Sequence, residues 1–273
     1  MSSEPAHTSP TPLLRLSGLP TTSLPPTTSP EETLTFLTAL LTQSLPFLAS
    51  ISSSPAWSPT TTKHHLSSSA PIHLLTRRVD SETWSCRRSL HVDSAQPGTA
   101  SWEEFKRGIK DEHAVAEAEY TPGIVAHGTG RSWEVGEVEV EVEGQRWGEC
   151  TMRLEEARHA IGRPLLKDRI FSVVQVTASR MGDGGKEFVV ISVPVRDWET
   201  GLGREGETQH VRGAYVAVER VRKLDTGEIE WVMATASDAK GSLPMWLQTK
   251  AVPGQIAKDV GLFLGWCAKS RVE

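Results

Sequence analysis

Residues 213–238, GAYVAVERVRKLDTGEIEWVMATASD, and residues 253–271, PGQIAKDVGLFLGWCAKSR, decide the fold of this chain. The first stretch predicts two long strands that are joined by a turn at Asp225–Gly227. The second has apolar residues at helical spacing and predicts a long amphipathic helix. An antiparallel sheet followed by such a helix can bury both by laying the helix across one face of the sheet. If the sheet curves, a gap remains between them, and we expect the functional site there.

Composition excludes several classes of protein. The chain has 273 residues, a net charge of -5 and a pI near 6.0, which argues against nonspecific nucleic-acid binding because that needs clustered Lys and Arg. No unbroken run of about 18 apolar residues is present, so no membrane span is predicted. The N-terminus lacks the pattern of a secretory signal. Cys86, Cys150 and Cys267 are widely spaced and form no disulfide framework, which favours a reducing, cytoplasmic environment.

The chain is predicted to form one domain with a tail. Residues 1–30 are rich in Ser, Thr and Pro and are expected to be a disordered tail, and residues 31–273 are expected to form the domain. A helix is predicted over Glu31–Ile51, with Ser29 as its N-cap. Residues 52–71 are of low complexity and are interpreted as a loop.

The remaining pattern predicts an α+β domain with an antiparallel sheet. A helical stretch is predicted over Trp102–Tyr120, opened by a capping box of Ser101 and Glu104. Alternating valines and glutamates after Trp133 indicate a half-buried strand. The other predicted strands are Ile72–Val79, Trp84–Val92, Glu149–Ala157, Arg169–Ala178, Glu187–Val195, Val211–Lys223 and Glu228–Ser237.

Several motifs in this order resemble a known family. They are WSCRRSLHV (84–92), SWEEFKRGIKDEHAVAEAEY (101–120), ARHAIGRPLLKDRIFSVVQVTA (157–178), FVVISVPV (188–195), GAYVAVERV (213–221) and IEWVMATASDAKGSLPMWLQ (229–248). The chain resembles, over about residues 31–271, the fungal domain of unknown function that stands beside the START (StAR-related lipid-transfer) domains. This resemblance implies a helix-grip fold, a curved antiparallel sheet wrapped around a long C-terminal helix with a ligand tunnel between. START domains bind sterols, phospholipids, ceramides and other hydrophobic molecules, and the resemblance does not name the ligand.

The expected ligand contacts come from the C-terminal helix and from the strands of the sheet. The apolar wall of the tunnel is predicted to consist of Ile256, Val260, Phe263 and Cys267 on the helix and of Trp231, Met233, Tyr215 and Phe171 on the strands. Ordinary core packing is the alternative for each of them. Polar contacts to a headgroup are predicted from Arg153 and Arg169, of which Arg169 matches an arginine of the family at a strand start. Arg87 or Arg88 and Glu219 are further candidates, since an internal arginine can pair with an internal carboxylate. Exposure to water, or a structural salt bridge, is the alternative.

A membrane contact is predicted where the sheet meets the final helix. Trp246 and Leu247 lie in the segment Ser242–Leu247, near the expected tunnel mouth. An exposed tryptophan can anchor a protein at a membrane interface. A packed corner is the alternative.

Motifs of catalysis are absent from the sequence, which contains no HExxH, CxxC, GxSxG or phosphate loop, and its histidines are scattered. No cofactor and no metal are therefore expected. The leading hypothesis is noncatalytic binding, with transfer, of a lipid or similar hydrophobic molecule, with transient membrane contact and no nucleic-acid partner. One alternative is an enzyme of the same superfamily, cyclase- or hydrolase-like, acting in the same tunnel. Another is a regulatory or scaffold module whose cavity is filled by side chains.

Overall fold

The computed structural model of this protein describes residues 12–161, 166–182, 186–198, 202, 210–241 and 245–272, with the side chains of 245–249 left undescribed. Its strands are β1 Ser58–Lys63, β2 Ile72–Val79, β3 Glu82–His91, β4 Ile124–Trp133, β5 Val140–Val142, β6 Gln145–His159, β7 Asp168–Arg180, β8 Glu187–Pro194, β9 His210–Arg212, β10 Ala214–Lys223 and β11 Ile229–Asp238. Its helices are α1 Pro30–Ser53, α2 Trp102–Phe105, α3 His113–Tyr120 and α4 Met245–Ser270, with a 3-10 turn at Thr21–Ser23 and a π-helical turn at Lys106–Asp111.

One sheet contains all the described strands. Its order is β1-β2-β3-β11-β10-β8-β7-β6-β4, with β5 beside β6 and β9 beside β7. Every pairing is antiparallel except that of β7 with β9. Helices α2 to α4 lie on one face, which we call the interior face, and α1 lies on the other, the outer face. The predicted α+β class and helix-grip fold are confirmed.

Helix α1 covers the outer face because one side of the helix carries leucine side chains. Leu37, Leu40, Leu41 and Leu48 are fully buried there. The helix begins as predicted, with the Ser29 side chain accepting a hydrogen bond from the amide of Glu32. By length and composition α1 could also cross a bilayer, but a single such helix near the N-terminus is weak evidence for a membrane span. The buried leucines are typical of a core helix of a folded domain.

The N-terminal segment differs from the predicted disordered tail. Residues 12–29 pack on the domain: Leu19 and Leu24 are buried, and Leu19 forms a β-bridge with Val195. The indole of Trp133 donates a 2.9 Å hydrogen bond to the carbonyl oxygen of Pro25. The few apolar residues scattered among Ser, Thr and Pro are enough to hold this segment on the domain, because the sheet supplies the surface that buries them. Residues 1–11 lie outside the described residues.

Four further elements differ from prediction, either in their bounds or because they were not predicted. Residues 58–63, expected to be loop, form the edge strand β1, which is exposed at every position and therefore has no apolar alternation to reveal it. The edge strand β4 was also missed: its half-buried positions include Gly128 and Arg131, so the sequence shows no regular apolar alternation there. The alternating run after Trp133 becomes regular only at Val140–Val142. Helix α4 begins at Met245, eight residues before the predicted start, and carries Pro253 inside it.

Candidate functional site

The interior face is tightly filled at one end. Residues directly opposite each other on neighbouring strands form rows across the sheet. One row, the Trp231 row, carries Trp231, Val221 and Phe188 on β11, β10 and β8. The Trp231 ring packs against Phe263 of α4 at 5.2 Å between centroids and against Phe105 at 5.4 Å. Here the space between helix and sheet is occupied by aromatic rings.

Two rows further along, four of the five side chains on the same face are small. This Thr235 row consists of Ser85, Thr235, Ala217, Ser192 and Gln175 on five adjacent strands. Side chains of this size cannot reach across to α4 as tryptophan and phenylalanine do. The register of the sheet therefore places small side chains beside one another at this level of the interior face, and we call this row with the residues around it the groove.

Accessible surface is retained inside the groove. Ala217, Tyr215 and Met233 lie on the central strands β10 and β11 yet are only half-buried. Val216 and Val218, their neighbours on the outer face, are fully buried. The accessible surface of the three half-buried residues therefore faces the groove. A pocket of about 230 Å³ adjoins this end of the groove, lined by Leu16, Ser81, Glu82, Thr83, Ser85, Ser237 and Val252.

A buried ion pair lies between the filled end and the groove. Arg87 on β3 donates a 2.9 Å hydrogen bond to Glu219 on β10, and the two residues are 2% and 7% exposed. The indole of Trp231 donates a second hydrogen bond, of 2.6 Å, to the same carboxylate oxygen. The guanidinium lies 3.8 Å from the centroid of the Trp231 ring. The predicted internal pairing of an arginine with Glu219 is confirmed, and Arg87, not Arg88, provides it.

Further titratable groups surround this pair. Asp259 of α4 is one helical turn from both Ile256 and Phe263 and shares their face. Desolvation by burial raises the pKa of Asp259 to about 7, an increase opposed by Arg87 and reinforced by the carboxylates of Glu117 and Glu219. Burial also raises the pKa of Tyr120 on α3 and that of Tyr215, which is hydrogen-bonded to Ser192. Ionisable groups therefore adjoin the aromatic end of the groove.

The predicted apolar contacts divide between the two ends. Val260, Phe263 and Cys267 are fully buried in the aromatic core with Trp231, and Ile256 is 5% exposed. These five fit the alternative of core packing, and the pocket does not touch them. Met233 and Tyr215 border the groove. Phe171 lies beside Tyr215, with ring centroids 5.7 Å apart, and is 8% exposed.

The two predicted headgroup arginines do not form a cluster. Arg153 is exposed, opposite Gln175 at the β6 end of the Thr235 row. Arg169 is 1% exposed and donates to the carbonyl oxygens of Lys167, Ala239 and Lys240. It therefore fixes the segment that leads from β11 to α4, which is a structural role. Trp246 and Leu247 have side chains outside the described residues.

A serine and a histidine meet within the filled end. The Nε2 atom of His91 lies 2.7 Å from Oγ of Ser89, and both residues are almost completely buried. Burial lowers the pKa of His91 to about 4. The Nδ1 atom of His91 has no hydrogen-bond partner among the described residues, so none of them serves as the orienting acid of a catalytic triad. Within the described residues, no group of three or more His, Cys, Asp and Glu side chains could hold a metal ion.

The sequence profile of a protein family described as "Protein of unknown function (DUF3074)" matches residues 84–267. The chain belongs to this family. The matched segment begins in β3, just before Arg87, and ends within α4, so it includes the ion pair, the Thr235 row and Asp259. No curated protein matches the chain.

Solved structures of low sequence identity share the fold of this DUF3074 protein. Human STARD10 is 12% identical, with a TM-score of 0.58 over 83% of this chain and 79% of that chain. Human StAR-related lipid transfer protein 5 is 11% identical, with a TM-score of 0.55 over 88% and 96%. The lipid transfer and protein localization domain of human StarD13 (DLC2) is 14% identical, with a TM-score of 0.52 over 83% and 95%. The START-like fold predicted from the motifs is confirmed.

Sequence reasoning missed two features of the site. The members of the Thr235 row come from five separate strands, and only the register of the sheet shows that they are neighbours. Asp259, which is not among the predicted contacts, is half-buried beside the apolar stripe of α4. A carboxylate one turn from Ile256 and from Phe263 was the signal available in the sequence.

Proposed function

We propose that this DUF3074 protein binds a lipid or similar hydrophobic small molecule in the groove between the sheet and α4, without catalysis. The observation that carries the proposal is the Thr235 row, where four of five adjacent strands contribute small side chains beside a buried ion pair. Ligand sites are typically apolar spaces with a few convergent polar groups. Two of the structural neighbours are named for lipid transfer, and this supports the same class of ligand.

The pocket of about 230 Å³ is smaller than the roughly 300–1,000 Å³ that ligand sites commonly occupy. The groove next to it supplies the additional length that an acyl chain needs. The wall of this ligand site is proposed to be Met233, Tyr215 and Ala217, with Val252 near the opening. Burial of an apolar chain there supplies about 25 cal/mol per Å² of apolar surface removed from water.

Enlarging Ala217 tests the proposal. The change Ala217→Leu adds three carbon atoms at the centre of the Thr235 row, where it would occupy ligand space. We expect the amount of lipid that co-purifies with the protein, measured by native mass spectrometry and lipid extraction, to fall several-fold. We also expect the melting temperature to change little, because a side chain that enters an open space causes no overpacking.

The control is Ala95→Leu, since Ala95 is exposed in the loop between β3 and α2. Lipid content unchanged by Ala217→Leu, together with a large loss of stability, would show a solid core and refute the groove. Transfer between membranes is a further step of the proposal, with Trp246 and Leu247 as the predicted contact. Exchange of a fluorescent lipid between vesicles, compared between native protein and Trp246→Ala, measures it.

A further inference from the structure

A cluster of charged side chains lies on the outer face, next to the core that contains α1. It spans the five adjacent strands β3, β11, β10, β8 and β7. We call it the arginine cluster, and its members are Arg88, Arg180, Arg220, Arg222, Glu187 and Glu230. The register places them in two neighbouring rows, and Val232 of the α1 core lies between Arg88 and Arg220. The cluster is therefore separate from the groove, which lies on the interior face.

Glu230 is the centre of the arginine cluster and is completely buried. Arg88 contacts its Oε1 atom through Nε and Nη2, each at 2.7 Å. Arg222 donates a 2.6 Å hydrogen bond from Nε to Oε2. Arg220 donates a 3.3 Å hydrogen bond from Nη2 to the same oxygen. Three guanidinium groups thus converge on one carboxylate.

The cluster contains more positive than negative charge. Its second carboxylate, Glu187, lies 3.4 Å from Nη1 of Arg180 and 3.8 Å from Nε of Arg220. No other carboxylate of the described residues forms an ion pair with the four arginines. Four cations therefore face two anions, although the whole chain has a net charge of -5.

Part of this excess charge is buried on Arg220. Its side chain is 8% exposed, and its Nε atom donates no hydrogen bond to a described residue. Burial and, next, the charge of Arg222 lower the pKa of Arg220, although Glu187 and Glu230 oppose the decrease. A buried cation that its counter-ions compensate only in part is costly, so a further anion beside it would be stabilising.

Arg88 and Arg222 are the members that such an anion could reach. Their side chains are 38% and 34% exposed. A guanidinium group has five N–H donors, of which Arg88 uses two on Glu230 and Arg222 uses one. Because both groups bind the same carboxylate, they are neighbours. One tetrahedral anion between them would accept hydrogen bonds from both.

We propose that the arginine cluster binds a phosphate group, with Arg88 and Arg222 as its direct donors and Arg220 as the buried charge behind them. Arginine suits this ligand because its planar fork matches two phosphate oxygens. A phosphate monoester carries nearly two negative charges at neutral pH, which balances the excess charge of the cluster. The phosphate belongs either to a soluble molecule or to a lipid headgroup. The site lies on the face opposite the groove and does not depend on the proposed function.

Inorganic phosphate is the first probe, titrated against the full chain by isothermal titration calorimetry at low ionic strength. The native protein is expected to give a saturable isotherm. Arg222→Gln removes a direct donor and its charge but leaves Glu230 paired with Arg88 and Arg220. It is expected to weaken phosphate binding about tenfold or more, since hydrogen bonds between charged groups are lost.

The matched control is Arg78→Gln, which removes the same charge from an exposed arginine near the other end of β2, distant from Arg88. It is expected to leave the affinity for phosphate unchanged. Circular dichroism melting shows whether each variant folds. Arg88→Gln removes the other direct donor and provides the test if Arg222→Gln does not fold.

Vesicles distinguish the two sources of the phosphate. The full chain is sedimented with vesicles of phosphatidylcholine alone and with vesicles that also contain phosphatidic acid. Retention on phosphatidic acid that is lost in Arg222→Gln and kept in Arg78→Gln assigns a lipid headgroup. Binding of inorganic phosphate without retention on these vesicles assigns a soluble phosphate.

Two results would overturn the phosphate site. One is the absence of both phosphate binding and vesicle retention. The other is an equal loss in Arg222→Gln and Arg78→Gln, which would show a general effect of net charge. Neither result bears on the groove, so the proposed function is tested separately.

Discussion

The ion pair of Arg87 and Glu219 makes a quantitative prediction about stability. The change Arg87→Met removes the cation and leaves a carboxylate that is 7% exposed with the indole of Trp231 as its remaining partner. Breaking a buried pair by removing one partner typically costs about 3–5 kcal/mol, because the other charge remains desolvated. In a domain of this size that loss corresponds to a decrease of roughly 6–20 °C in melting temperature.

The assay is urea unfolding followed by tryptophan fluorescence and by circular dichroism. The double variant Arg87→Met/Glu219→Gln should recover much of the loss, because it removes the orphaned charge as well. Arg88→Met is the matched control: this neighbour faces the outer side, its side chain is 38% exposed, and its partner Glu230 keeps both Arg220 and Arg222. A loss of about 1 kcal/mol or less is expected for it.

Two results would refute this reasoning about the pair. The first is a loss for Arg87→Met that is no larger than the loss for Arg88→Met. The second is a double variant that is less stable than either single variant, since that would mean the two charges act independently of each other.

Two further predictions concern α4 and its packing. The pKa of Asp259 is raised from 3.8 to about 7, so between pH 4 and 7 the folded state keeps a proton that the unfolded state releases. The free energy of unfolding should therefore fall as pH rises through that interval. Denaturant titrations of Asp259→Asn at several pH values should show that this contribution is gone. Gly108→Ala should cost roughly 1–3 kcal/mol in urea unfolding, because a Cβ atom there would lie 2.7 Å from the Phe263 ring and 2.8 Å from the Trp266 ring. Its control, Gly254→Ala in α4, meets nothing within 4 Å and should not destabilise; a similar loss in both variants would contradict the packing explanation.

The sequence was sufficient to predict an element wherever the signal lies in residues of that element itself. The Ser101–Glu104 capping box forms as predicted, with both reciprocal hydrogen bonds present. The apolar spacing of Ile256, Val260 and Phe263 correctly indicated the buried face of α4. Strands with apolar alternation, such as β10 and β11, were likewise found. These features depend on residues only a few positions apart, and their free energies are decided locally.

Edge strands and the N-terminal segment could not be identified in this way. β1 is paired through its backbone to β2 and exposes every side chain, so its sequence is indistinguishable from that of a polar loop. Leu19 and Leu24 are buried only because the sheet provides a surface for them. Their stability comes from contacts with residues far away in the sequence.

The sequence by itself determined the α+β class, the amphipathic C-terminal helix and the START-like resemblance. Only the tertiary structure decided which level of the interior face carries aromatic rings and which carries small side chains. Trp231 and Ala217 both lie on the interior face, but one contacts the rings of Phe263 and Phe105 while the other lies in a row of small side chains. Whether an inward-facing residue is core or ligand wall depends on the size of its neighbours across four or five strands. Those neighbours are set by strand register, which is a property of the whole folded sheet.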